Sequence, residues 1–182
     1  MNDIERIRLE VVNNDLSYYE LLDLYIKYLS LRRGNMSDIP NYNYDYNYYN
    51  HNRSINCYGY ALRLDLPNYF NEAFIKENSS FIFDPGCFSH IYNISNNDKL
   101  IKAILYDLEI LGIKYSSEEL AYKVAVFQEE FTTDSTLDFH FWRLNDDGMW
   151  SCKDGYSGGV IRAKSPTGSM GYKLVRKINL VK

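Results

Sequence analysis

With 182 residues and a formal net charge of −4, the chain is expected to form a single domain over residues 1–182, with no global field to draw it to nucleic acid or an anionic membrane. Its 46% hydrophobic residues suffice for a core, and its 18 Tyr can bury a ring while keeping the hydroxyl wet, so Tyr alone does not mark a site. Cys57, Cys87 and Cys152 are too few and odd in number for a disulfide framework, so at least one thiol should be free.

The first residues, MNDIERIRLEVVNND, alternate charge with apolar residues and lack the apolar core of a signal peptide. No stretch approaches the roughly 20 apolar residues of a membrane span. A cytosolic location is expected, in a bacterium or in a cell that a virus or phage has entered. Ile4 to Val12 suits a strand only moderately, with a short helix as the alternative. From Ser17 the pattern is helical: Ser17 and Glu20 form a capping box, Leu21, Leu22, Tyr25, Tyr28 and Leu29 follow at three-and-four spacing, and Arg32-Arg33-Gly34 closes the run. Asn35 to Asn52 is a polar, Asn/Tyr-rich low-complexity segment, read as a surface loop or as a substrate-contacting lid.

Asn56-Cys57 then opens a helix that runs to Pro67. Phe81-Ile82-Phe83 reads as a short strand stopped by the Asp84-Pro85-Gly86 turn. A second capping pattern, Ser95-Asn96-Asn97-Asp98, starts a strong helix through Leu100, Ile104, Leu108 and Leu111 that ends at Gly112. Tyr122 to Gln128, Leu137 to Leu144, Met149 to Lys153 and Gly171 to Leu180 read as strands. Helices first and an antiparallel sheet afterwards define an α+β fold.

The hairpin of Leu137 to Leu144 with Met149 to Lys153 has a register that turn chemistry predicts. Asn145-Asp146-Asp147-Gly148 suits a type I turn with Gly148 in the left-handed bulge position, flanked by the pair Asn145 and Met149. Counting back sets Leu144 opposite Trp150, Trp142 opposite Cys152 and His140 opposite Asp154, all on one face. Asp154 would then accept from one ring nitrogen of His140 and orient it. Asp138 is an alternative support along the same face. Cys57 supplies a thiol at a helix start, where a depressed pKa is expected to favour the nucleophilic thiolate. The Cys57 amide and the Asn56 side chain are candidate donors to an oxyanion.

These residues carry a resemblance. Asn56-Cys57-Tyr58-Gly59-Tyr60-Ala61, then Pro85-Gly86, then Asp138-x-His140-x-x-Arg143 and Asp147-Gly148-x-Trp150-Ser151-x-Lys153-x-Gly155 resemble small phage, viral and bacterial proteins. Those proteins have the pattern N-C-Y-x-Y-A, P-G, D-x-H-x-x-R and D-G-x-W-S-H-K-x-G. The order of cysteine on a helix and histidine on a strand is similar to the papain-like superfamily, including NlpC-like and CHAP-like hydrolases. Over residues 55 to 155 the resemblance implies a papain-like domain, with Cys57 as nucleophile and His140 as base, that cleaves amide or isopeptide bonds in a protein or peptide substrate. The chain departs from the pattern at Cys152, where the motif has His. The alternative is therefore a catalytically inactive fold that acts as a binding or inhibitory module. Cys87-x-x-His90 has metal-ligand spacing without a second pair, so neither a metal nor another cofactor is expected.

Overall fold

In the computed structural model, residues 1–33, 46, 48–50, 54–77, 83–116, 122–129, 138–155, 158–168 and 171–181 are described. Among them lie five helices, α1 (Asp3–Asn13), α2 (Tyr18–Arg33), α3 (Cys57–Ala61), α4 (Asn68–Lys76) and α5 (Asn97–Ile110). The strands are β1 (Lys114–Ser116), β2 (Tyr122–Glu129), β3 (Phe139–Leu144), β4 (Trp150–Lys153), β5 (Val160–Ala163) and β6 (Tyr172–Val181). They form one antiparallel sheet in the order β1-β6-β2-β3-β4-β5, so the fold is α+β.

The first segment is a helix where a strand was expected. Asn2 accepts from the Glu5 amide at 2.8 Å as an N-cap, and Ile7 and Val11, four residues apart, are both buried. One cap and one buried stripe outweigh the partial alternation that favoured a strand. Glu20 caps α2 by accepting from the amide and hydroxyl of Ser17 at 2.9 and 2.7 Å. On α5 the capping residue is Asn96, which accepts from Lys99 N at 2.9 Å, one position after the Ser95 that the capping-box pattern puts first.

The helix after Cys57 is shorter than expected. It stops at Ala61, and Arg63 turns into the left-handed region with φ 56°. Leu64 N then bonds back to Gly59 O at 2.9 Å. A separate helix, α4, follows Pro67, its Phe70 and Phe74 spaced to bury together. That helix, β1 and the edge strand β5 were not expected from the sequence. Of the low-complexity segment, Tyr48 and Tyr49 are anchored rather than loose. The Tyr48 hydroxyl donates to Asp65 Oδ1 at 2.7 Å, and buried Tyr49 donates to Leu64 O at 3.1 Å. Gly34, His51, Phe81, Ile82, Asp134, Leu137 and most of 35–52 lie outside the described residues.

The sheet has two distinct faces. Val124, Val126, Phe141 and Ile178 join the helices in the main core. Ala125, Phe127, Trp142, Trp150 and Cys152 form a smaller cluster on the other side, with Leu144, Ala163 and Tyr172 packed against it. Strand alternation makes the division: Phe139, Phe141 and Arg143 belong to one face, and His140, Trp142 and Leu144 to the other.

Candidate functional site

Asn56 builds the local geometry of Cys57. Its Oδ1 accepts from Gly59 N at 3.0 Å, and its Nδ2 donates to Phe83 O at 3.0 Å, so one side chain caps α3 and ties it to the loop before Gly86. The Asn56 amide, a candidate oxyanion donor in the sequence, here donates to Phe83 O. Gly59 is required by packing, since a Cβ there would lie 2.9 Å from Ile55 Cγ2 and 3.2 Å from the Phe83 ring.

The Cys57 sulfur lies 4.0 Å from Phe139 O, and the backbone amides of Phe141 and Tyr58 hydrogen-bond to it. Phe139 and Phe141 are the residues on either side of His140. Glu129 N bonds Asp138 O on the β2 side, and Asn145 N bonds Met149 O on the β4 side. Even-numbered residues of β3 therefore turn their peptide groups to β2, and odd-numbered ones turn theirs to β4. The paired register of β3 with β4 comprises only Arg143–Ser151 and Leu144–Trp150. Beyond Arg143 the two strands part, and the cysteine sulfur occupies the β3 edge that β4 leaves open.

The predicted turn is present: Gly148 has φ 76°, and the pair Asn145–Met149 closes it through Asn145 N and Met149 O at 2.9 Å. Because the ladder ends early, the opposition of His140 and Asp154 is not formed as a strand pair. Asp154 is exposed at the end of β4 and acts on His140 through charge, as does Asp138. No hydrogen bond joins Asp154 to the ring. Asp138 accepts from Phe139 N at 2.8 Å and from the Tyr172 hydroxyl, and the His140 ring packs 6.1 Å from Trp142 and 6.5 Å from Tyr172.

Electrostatics here are set by burial. Cys57 is 4% exposed, and desolvation pushes its thiol up to about 12, against the opposing pull of the two amides. The depressed pKa expected from the sequence is therefore absent: burial outweighs what a five-residue helix offers. Burial lowers the His140 imidazole below its ordinary range, and Asp154 and Asp138 partly offset that. Near neutral pH both groups are uncharged. Cys152 is buried and its thiol is raised, as is that of Cys87.

Three buried charged residues brace this region: Asp107, which sequence reasoning did not single out, and Arg143 and Lys153, which it named only as motif positions without a role. Asp107 of α5 is fully buried and accepts from Gly86 N at 2.6 Å, Ser89 N and Oγ at 2.7 Å each, and Tyr58 Oη at 3.0 Å. It pins α3 to the Pro85-Gly86 turn, where Gly86 has φ 91° and a Cβ would strike Ile91 O at 2.0 Å. Arg143, also fully buried, lies 3.8 Å from the Tyr60 ring and donates to Tyr60 O at 3.0 Å. Lys153 is fully buried on the same face of β4 as Ser151, whose Oγ meets Tyr60 Oη at 2.7 Å. The only sequence signal for Asp107 was a carboxylate on the apolar stripe of α5.

Among the described residues, no three His, Cys, Asp or Glu side chains converge on a possible metal position. Cys87 is buried while His90 is exposed beside Tyr92. No helix of the described residues is long and apolar enough to cross a membrane. Comparison with family models, with curated proteins and with solved structures found no match.

Proposed function

We propose that the protein is a papain-like cysteine hydrolase or acyltransferase acting on amide or isopeptide bonds of a protein or peptide. The observation that carries this reading is the position of the Cys57 sulfur on the open edge of β3, against the peptide groups that flank His140. Both groups rest uncharged, so His140 acts as a general base: it takes the thiol proton as sulfur attacks the carbonyl carbon. The carbonyl oxygen receives the electron pair. Collapse expels the amine, which takes the proton from His140, and water then hydrolyses the thioester. Asp154 and Asp138 favour the transient imidazolium through their charge.

Iodoacetamide labelling with peptide mapping tests it. Cys57 should be alkylated ahead of Cys87 and Cys152, and His140→Ala should slow that labelling about tenfold or more. A second reading, a binding module that keeps the fold without catalysis, is favoured by the burial of the Cys57 thiol and by Cys152 in the motif histidine position. Equal, slow labelling of all three thiols, unchanged in His140→Ala, would select it.

A further inference from the structure

Gln128 of β2 is 4% exposed, and among the described residues neither its Nε2 nor its Oε1 has a hydrogen-bond partner. A buried amide left in that condition costs stability, and folded proteins keep few of them. Strand alternation turns Gln128 to the face of Val124 and Val126, which join the helices in the main core. There it lines a recess of about 370 Å³ together with Asn96 and Asn97 at the start of α5, Glu129, and Lys173 and its neighbours on β6. Lys173 is the ladder partner of Gln128. The helix start adds donors: Asn96 takes the Lys99 amide, while those of Asn97 and Asp98 lie ahead of the intrahelical ladder.

A longer groove of about 590 Å³ shares Asn97 and Val175 with the recess and follows α5 past Ile101 and Leu105 to Glu109. From Asn97 to Glu109 the helix rises about 18 Å, the length of five or six extended residues. Beside it, β1 pairs only with residues 179–181 of β6, so among the described residues the outer edge of 172–178 has no strand partner. From this placement we propose that the recess is a binding site for an extended peptide segment, whose main chain pairs with Gln128. In an extended backbone the N–H and C=O of one residue point to the same side. A single residue therefore satisfies both halves of the carboxamide: Nε2 donates to its carbonyl and Oε1 accepts from its N–H. Charge agrees with such a ligand. Glu129 accompanies Lys173 in the recess, and Asp98 and Glu109 accompany Lys102 and Arg176 in the groove, so neither sign dominates as it does in a site for phosphate or nucleic acid. Binding here does not depend on Cys57 as a nucleophile. The structural alternative is a packing amide that takes no ligand.

NMR of the Gln128 side-chain amide separates the two. Titrating the full chain with the peptide acetyl-Val-Ser-Val-Ser-Val-amide should shift the Gln128 Nε2 protons and the Asn97 and Lys173 amides, whereas inorganic phosphate should leave Gln128 unmoved. Gln128→Met keeps the volume and removes both polar atoms. It should weaken peptide binding, read at the Asn97 amide, about tenfold, and raise the urea midpoint of the free protein because the unpaired amide is gone. A peptide N-methylated at its central Val gives Oε1 no donor and should bind about fivefold more weakly, a comparison that needs no variant. A Gln128 resonance that ignores the peptide at millimolar concentration, a shift with phosphate alone, or equal affinity in Gln128→Met overturns the inference. A urea midpoint lowered in Gln128→Met does so too, since the amide would then serve the fold.

Discussion

Two buried polar centres flank α3 and are built on opposite terms. At Asp107, one carboxylate receives four hydrogen bonds of 2.6–3.0 Å from a turn and a tyrosine. At the Cys57 edge of β3, burial pushes the thiol toward its neutral form, and it does the same to the half-buried His140 imidazole of that strand. A carboxylate so fully bonded fixes geometry, so Asp107 belongs to the architecture, while the proposed chemistry would fall on the Cys57 side.

The largest expected effect comes from breaking the satisfied centre. Asp107→Ala leaves Gly86 N, Ser89 N and the Tyr58 hydroxyl without their acceptor, and should lower unfolding stability by about 3 kcal/mol in a urea titration. By contrast, Cys57→Ser should change it by about 1 kcal/mol or less while removing any thiol-dependent turnover. A Cys57→Ser loss as large as that of Asp107→Ala would erase the distinction between the two centres.

A smaller effect follows from pH. The Cys57 thiol ionises near 9 when unfolded and near 12 when folded, so the unfolded chain loses the proton first. Stability that is complete below pH 9 should decline above it, by about 1.4 kcal/mol per pH unit for this thiol up to its folded value. Urea midpoints between pH 8.5 and 10.5 measure this. The slope should shrink in Cys57→Ser, and an equal slope in that variant would show that the thiol is not held neutral by burial.

Much of this was legible in the sequence, and the failures have physical causes. The turn at Asp146–Gly148 fixed its own pair because left-handed Gly148 admits few loop geometries. The register could not be carried on to His140 and Asp154, since α3 lodges a sulfur between the strands and no local pattern encodes where a ladder opens. Strand alternation placed His140 with Trp142 correctly. The polar Arg143, Ser151 and Lys153 resemble a solvated face, yet all three are buried and Arg143 and Ser151 meet α3 through Tyr60, because long-range packing decides which side of a sheet is covered. The five-residue α3 was overestimated for a similar reason: its Tyr60 carbonyl also accepts from Arg143, on a strand more than eighty residues away.

Whether Cys57 and His140 share one electrostatic site can be measured by following the His140 ring protons through a pH titration by NMR. In the unaltered protein the imidazole should titrate below its ordinary 6.5. In protein carboxymethylated at Cys57, or in Cys57→Asp, the added carboxylate should raise that midpoint by about one pH unit. An identical His140 titration with and without the new charge would show that the two groups do not share a site.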